Sequence, residues 1–325
     1  MIKHLFVVNP TAHGASALAA EAGEICARMG LKYAVEVTGR AGDAVEIVSR
    51  EARKGGEVRV YALGGDGTLN EAVRGAAGYG NVTLTQLPGG TGNDFTRCLG
   101  GKDAFTDIEA VISGCELPVD MIEVRLDDSP PIHAVNICSV GVDADVAAGV
   151  ERYKRMRRWG SKAPYNISLA ATLLRGVKRP YTVTVDKGTP PDRFSWQEDF
   201  TMLTCCNGQA YGGGFKACPD ADPTDGQLEF LLVRGVSRLT ITRIVGAYAD
   251  GKYKELSKYI RHMPGRSMTV EAPAPFWVNY DGETVRARRA AFSLSPHKLR
   301  FIVPAGSYLP FSARSSQTAP TSSAE

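Results

Sequence analysis

Val58-Arg59-Val60-Tyr61-Ala62-Leu63-Gly64-Gly65-Asp66-Gly67-Thr68-Leu69-Asn70-Glu71 passes from one periodicity to another across a single glycine turn. Residues 58–63 are apolar but for Arg59, and residues 69–77 carry a helical pattern that stops at Gly78. A short continuous apolar run implies a strand covered on both faces. A helix opening straight after its glycine turn implies the strand–loop–helix unit of a parallel sheet. The unit repeats outward. Strands at 5–8 and 31–37 alternate with helices at 16–29 and 43–54, which end at Gly30 and at Gly55-Gly56. A fourth strand at 82–87 runs into another glycine loop, Pro88-Gly89-Gly90-Thr91-Gly92-Asn93-Asp94-Phe95. The pattern predicts a doubly wound α/β domain over 1–125, whose ligands sit at the carboxyl ends of its strands.

From Met121 the pattern changes. Strand-like segments at 132–140, 181–186, 200–206, 228–234, 267–271, 276–280, 291–294 and 299–303 are interrupted by helices near 143–157, 165–174 and 237–250. Many strands at short spacing with Asp-Gly turns predict a mainly β, sandwich-like second domain over 126–311 with a few helices. Its last strand is a candidate to return to the first domain. Residues 312–325 hold no apolar anchor and read as a disordered tail.

The 325-residue length fits two domains on a prior of ~150 residues each. With 38 basic and 35 acidic residues the net charge is +3, no footprint for a nucleic-acid binder. Seven cysteines without a Cys-x-x-Cys pair argue against a disulfide framework or a zinc site and favour a reducing cytosol. No apolar run approaches the ~18 residues of a membrane span, and the apolar run before Asn9-Pro10 is too short for a signal peptide. The expectation is a cytoplasmic chain. Glycine is the anomaly: 35 residues of 325, where an average of roughly 7% would give fewer.

The two glycine loops explain part of that surplus. After a strand and before a helix, bare backbone approaches a phosphate closely, and free N–H groups and the helix dipole favour its charge. A plain strand-to-helix turn capped by Thr68, and simple capping by Asn93-Asp94, are the structural readings of the same residues. Neither loop is a Walker A motif, because no Gly-Lys-Ser/Thr follows.

Asn9-Pro10 with Gly14, Gly-Gly-Asp-Gly-Thr-Leu-Asn-Glu at 64–71 and Gly-Thr-Gly-Asn-Asp-Phe at 90–95 resemble the bacterial diacylglycerol kinase-like lipid kinases, a family that includes sphingosine and ceramide kinases. The resemblance continues through Asn136, Gly141-Val142-Asp143, Thr224-Asp225-Gly226 and Asp281-Gly282-Glu283, and so covers about residues 2–306. The first glycine motif is shared in kind with NAD kinases and phosphofructokinases; its combination with the later motifs is more restrictive.

The resemblance implies an ATP- and Mg²⁺-dependent kinase that phosphorylates the hydroxyl of diacylglycerol or a related lipid alcohol in a cleft between the domains. Carried over, Asn9, Thr38, Gly64, Gly65, Gly67, Thr68, Gly90, Thr91, Asn93 and Asp94 would line the nucleotide site. Asp281 would be the base that takes the lipid hydroxyl proton, although Asp-Gly is also a favoured hairpin turn. Asp66, a carboxylate among phosphates, would belong to the Mg²⁺ network, with Glu283, Asp94 and Asp120 in support. Capping and turn formation are the alternatives for Asp94 and Asp120. A structural Mg²⁺ would take the Asp225 side chain and the carbonyls of Asp222 and Gln227, although Asp225-Gly226 also looks like a hairpin turn. Two rivals stand beside this reading: a kinase of a soluble substrate such as an NAD kinase, and a nucleotide-binding lipid sensor without catalysis.

From Arg152 to Lys162 the chain carries six positive charges and no acid, with Tyr153, Met156 and Trp159 at near-helical spacing. This suits either contact with an anionic membrane or a solvated helix packed by its aromatic face. The partners expected are therefore a lipid substrate and the membrane surface that carries it.

Overall fold

Leu5-Phe6-Val7-Val8 and Val60-Tyr61-Ala62-Leu63 are buried without exception, as adjacent central strands of a sheet sandwiched by helices must be. The computed structural model describes residues 2–89, 92–154, 172, 176–188, 192–304 and 307. In it β1 (Lys3–Val8), β2 (Lys32–Val37), β3 (Val58–Gly64) and β4 (Val82–Pro88) alternate with α1 (Ala15–Arg28), α2 (Asp43–Ala52) and α3 (Asp66–Ala76). These four strands are mutually parallel in the order β2-β1-β3-β4. From β1 the chain moves outward to β2 and then to β3 on the other side, so the order reverses between β1 and β3. Such a switch point leaves a crevice at the carboxyl ends of the strands.

Two short helices, α4 (Asp94–Cys98) and α5 (Ile108–Ile112), and the edge strand β5 (Cys115–Val119) follow. Each spans too few residues for periodicity to reveal it. Far along the chain, β15 (Leu299–Val303) inserts between β4 and β5, parallel to the former and antiparallel to the latter. The last strand thus lies in the first sheet.

The β-rich half is one nine-stranded sheet. Its members are β6 (Ile122–Leu126), β7 (Ile132–Ala134), β8 (Ile137–Gly141), β9 (Arg179–Asp186), β10 (Arg193–Cys206), β11 (Leu228–Arg234), β12 (Ile260–Gly265), β13 (Ser267–Tyr280) and β14 (Glu283–Leu294). β10 and β13 are long enough to hold β8 at one end and β9 at the other. The register shifts within both strands, at 200/202 and 271/276; such irregularities bend a sheet. The segments 267–271 and 276–280 are one strand, because Ala-Pro-Ala-Pro at 272–275 interrupts the pairing without ending the extended chain. Expected strand 200–206 is the apolar end of β10, whose polar, exposed start gave no signal. Expected strand 132–140 breaks between β7 and β8, which frees the backbone N–H groups of Val135 and Asn136 for another use. β6 and β12 are further strands that the sequence reading did not pick out.

Helices α6 (Val142–Lys154) and α7 (Arg238–Ala249) complete this half. The expected helix at 165–174 falls, apart from Thr172, outside the described residues, as do Arg155 to Lys162 of the basic stretch and the tail at 312–325. No helix among the described residues is long and apolar enough to cross a membrane.

Candidate active site

The carboxyl ends of β1 to β4 converge. The Asn9 N–H donates to the Leu63 carbonyl (2.9 Å), the Thr38 N–H to Val8 (2.9 Å) and the Gly89 N–H to Gly64 (3.2 Å). Asn9 Nδ2 donates to Thr68 Oγ1 at 3.3 Å. The Thr68 hydroxyl folds back over Gly64 so closely that any Cβ there would collide with it. Helix α3 opens at Asp66, with Gly65 and not Thr68 at the N-cap. Its first-turn N–H groups, those of Asp66 and Gly67, have no carbonyl four residues back to bond. Gly67 is exposed, and a Cβ there would meet nothing within 4 Å, so the first turn of α3, its positive end, is open to approach at this residue. Gly90 and Thr91 of the second loop lie outside the described residues.

Asp66 stitches the two glycine loops together. Its carboxylate accepts the N–H groups of Asn93 (3.0 Å) and Asp94 (2.7 Å). Gly92 is required beside it, since a Cβ would strike Asp66 Oδ2. The capping expected of Asn93-Asp94 is therefore supplied from another loop: Asn93 occupies the N-cap of α4, but no side-chain cap bond is its own. Asp94, buried, carries the chain of contacts into the β-rich half by accepting the Gly213 N–H at 2.7 Å, and it pairs with Arg97 at 3.2 Å. Burial pushes the Asp66 carboxyl above the usual carboxylate range, and the charges of Asp94 and Asp281 push the same way. Acidic groups this close repel unless a cation or a proton lies among them.

Asp281 sits where the halves meet. It occupies the left-handed region (φ 47°) with Gly282 (φ 96°) in the two-residue turn between β13 and β14, as the hairpin reading expected. Its Oδ1 accepts the N–H groups of Asn136 and Ile137, both at 3.0 Å. Oδ2 accepts Val135 N–H at 2.7 Å. Val135 and Asn136 are the donors released by the break between β7 and β8, and Ile137 opens β8. The fourth position, on Oδ2, is held only by Asn70 Nδ2 of α3 at a long 3.4 Å. Burial raises the Asp281 carboxyl above its ordinary range against these hydrogen bonds. Glu283, next along the turn, is exposed at the start of β14.

The acidic loop at 222–227 is organised differently. Asp225-Gly226 is not a tight hairpin, because it closes the long connection 207–227 between β10 and β11. Asp222 Oδ1 accepts the N–H (2.9 Å) and hydroxyl (2.7 Å) of Thr224, and Asp225 Oδ1 accepts the Gln227 N–H at 2.8 Å. Crowding by the protein and by Asp222, Glu229 and Asp120 raises the Asp225 carboxyl to about 6. Both Asp120 oxygens have a partner: Oδ2 takes the Gly226 N–H (2.8 Å) and Oδ1 the Lys298 ammonium (2.9 Å), which also donates to the Thr224 carbonyl (3.2 Å). Among the described residues no cluster of three acidic, histidine or cysteine side chains forms a metal cage.

A cavity of about 200 Å³ opens in the β-rich half beneath α7, lined by Val142, Val146, Met202, Phe215, Ile241 and Ile244 among others. Its one acidic side chain is Asp143, which accepts hydrogen bonds from Ser139 and from Asn279 (3.3 Å). Asn279 in turn accepts the Gly282 N–H at 3.0 Å, which links the cavity to the Asp281 turn.

Residues 3–124 match the family described as diacylglycerol kinase catalytic domain, and residues 136–303 match the YegS C-terminal NAD kinase beta sandwich-like domain. The chain belongs to this lipid kinase family. A Pseudomonas aeruginosa protein named "Probable lipid kinase YegS-like" is 34% identical, over 86% of this chain and 87% of its own length. A Mycobacterium tuberculosis protein named diacylglycerol kinase is 29% identical, over 92% and 94%. A crystal structure described as a diacylglycerol kinase from Bacillus anthracis superposes with a TM-score of 0.66 at 20% identity, covering 93% of this chain and 96% of that one, and so shares the fold.

Within this lipid kinase fold, several residues matter that the sequence reading did not single out. Glu71 accepts the N–H groups of Gly42 (2.9 Å) and Ala44 (3.2 Å) and so caps α2. Asn70 is buried beside Asp281, and its Oδ1 meets no donor among the described residues. Gly92 and Gly213 act through a missing Cβ and a backbone N–H. Asn70 and Glu71 carry a signal in their place at the end of the Gly-Gly-Asp-Gly-Thr-Leu-Asn-Glu motif, and Gly92 in the Gly-Thr-Gly-Asn-Asp-Phe motif, whereas Gly213 carries none.

Proposed function

We propose that the protein transfers the γ-phosphate of ATP to the hydroxyl of diacylglycerol or a related lipid alcohol. The observation that carries this reading is the Asp281 carboxylate, fixed by three backbone N–H groups beside α3 of the α/β half and linked through Asn279 to an apolar cavity. A hydroxyl entering from the cavity side takes the place of the long Asn70 contact and donates to Oδ2. Its proton passes to the carboxylate as the oxygen attacks the γ-phosphorus, the bond to the β-phosphate breaks, and ADP leaves. The raised affinity of Asp281 for a proton suits it to this task. Asn9, Thr38, Gly64, Gly65, Gly67 and Thr68, with the loop of Asn93 and Asp94, hold the nucleotide. Little covalent work is needed beyond alignment and charge neutralisation.

Mg²⁺ would enter with the nucleotide, because the mutual repulsion of Asp66, Asp94 and Asp281 fits a cation while no cage among the described residues holds one alone. Asp66 would face it, and the ion would neutralise phosphate charge. At the second loop Asp225, with the carbonyls of Asp222 and Gln227, fits a structural cation; Asp120 stands beside it, its Oδ1 paired with the Lys298 ammonium. An apolar cavity of this size favours a lipid over a dinucleotide acceptor. Incubation with labelled ATP, Mg²⁺ and a total lipid extract should give one labelled lipid. Label passing to NAD, or to no acceptor at all, would overturn the reading.

A further inference from the structure

Helix α7 is barely covered by the fold. Of its twelve residues only Tyr248 is buried. Ile241, Ile244 and Tyr248 turn inward and, with the part-exposed Val245, line the cavity. The rest of the helix presents Arg238, Leu239, Thr242, Arg243 and Gly246, all exposed. Leu239 is 60% and Val245 45% exposed, two of the largest exposures of an apolar side chain among the described residues. The helix contains no acidic residue; Asp250 follows only at its C-cap, and Arg234 and Lys252, both exposed, flank it. A helix facing water usually interleaves both signs of charge on its outer side. Exposed leucine beside arginine, with no acid, is the composition of a helix lying in the headgroup region of an anionic bilayer.

We propose that the outer face of α7 docks on an anionic lipid surface, with the mouth of the cavity delivered to the bilayer. Charge complementarity selects this occupant: a basic face without acids attracts anionic headgroups, and each basic residue near the surface strengthens partition about fivefold. The apolar side chains on the inner and outer faces of the same helix then form a continuous path from the acyl region to the cavity. Scaled from ~150 Å³ for a cavity that takes benzene, the space accepts on the order of eight carbons of one chain. The rest of the lipid stays in the membrane, so docking is needed for turnover of a long-chain substrate. The inference rests on the lipid kinase reading for its purpose, while the docking itself is read independently.

Sedimentation with vesicles of phosphatidylglycerol and phosphatidylcholine, against phosphatidylcholine alone, tests it. The full-length protein should bind the anionic vesicles preferentially, and salt should weaken the binding. Leu239→Ser combined with Arg243→Gln should lower that partition about tenfold or more, and cut turnover of vesicle-borne diacylglycerol similarly. Turnover of a water-soluble short-chain diacylglycerol should stay unchanged, which also shows that the variant folds. Equal vesicle binding by the variant and the wild type would overturn the proposal. So would a variant whose defect is loss of self-association in vesicle-free buffer, since the face would then meet a second copy. Vesicle binding without turnover of either lipid would leave the docking standing and sink the kinase reading.

Discussion

Asp225-Gly226 and Asp281-Gly282 are the same dipeptide in the same β-rich half, and each glycine has a positive φ. Their carboxylates nevertheless live in different surroundings. Asp281 is gripped by backbone N–H groups of Val135, Asn136 and Ile137, almost 150 residues earlier in the chain, and its neighbour in α3 comes from the other half. Asp225 is exposed, and its side chain bonds the N–H only two residues on, a local Asx turn. The turn chemistry is common to both. What separates them is which distant strand leaves donors unpaired nearby. A strand break that looks like a defect in β7–β8 is the feature that immobilises Asp281.

The comparison breaks most severely at Asp281→Asn. A neutral side chain cannot take the hydroxyl proton, and loss of a general base costs about 10²–10⁴-fold in turnover. The amide also turns a donor towards backbone N–H groups, a buried mismatch of about 1–3 kcal/mol. Nucleotide affinity should survive, and the residual rate should lose its acid limb. In the wild type that limb is a fall in kcat/KM as pH drops through the raised Asp281 value, because only the deprotonated carboxylate accepts a proton. Near-normal turnover by the variant, measured with labelled ATP, would remove Asp281 from the reaction and leave it a structural anchor.

Lys298→Met is the next largest test and acts on the other turn. It strips the ammonium from Asp120, which is 2% exposed, while Lys298 is itself almost half exposed. Breaking a fully buried pair costs about 3–5 kcal/mol, and the solvation of Lys298 reduces this to about 1–2 kcal/mol. Urea unfolding should show the loss, and added Mg²⁺ should recover part of it if a divalent ion can replace the tethered cation. A variant as stable as the wild type would mean that the Asp225 loop needs no positive charge from Lys298.

The same contrast explains what could be read from the chain alone. The four parallel strands and their glycine loops were legible because each is a local pattern, a buried run followed by a turn, and so was the Asp281-Gly282 hairpin. The bonds of Asp66 were not legible. A carboxylate among glycines suggested a cation partner, yet Asp66 also accepts the N–H groups of Asn93 and Asp94, a pairing across two loops that no spacing announces. The resemblance places Asp120 with the family's acidic positions, but its partner Lys298 is 178 positions away, with nothing in the intervening sequence to join them. The long strand β10 is legible only at its apolar end, because its start is exposed, and β13 reads as two strands, because Pro273 and Pro275 interrupt its middle.

The smallest expected effect is the pH dependence of Asp225. Its carboxyl is raised to about 6 in the folded chain, above the ~3.9 of an unfolded aspartate, so the native state holds the proton more tightly. The protonated form therefore contributes stability that is complete below about pH 4 and is lost as pH rises through 6. Because Asp225 is exposed, solvent screening keeps the change small. Unfolding followed from pH 4 to 7 in the absence of divalent ions should show a shallow decline in the wild type and a flatter line in Asp225→Asn. Millimolar Mg²⁺ should offset the decline in the wild type and leave Asp225→Asn unmoved, since a ligand that binds only the folded, deprotonated loop acts against the proton. An identical Mg²⁺ response in both proteins would place the ion elsewhere. The two Asp-Gly turns would then differ only in how tightly backbone holds them, and not in what their carboxylates bind.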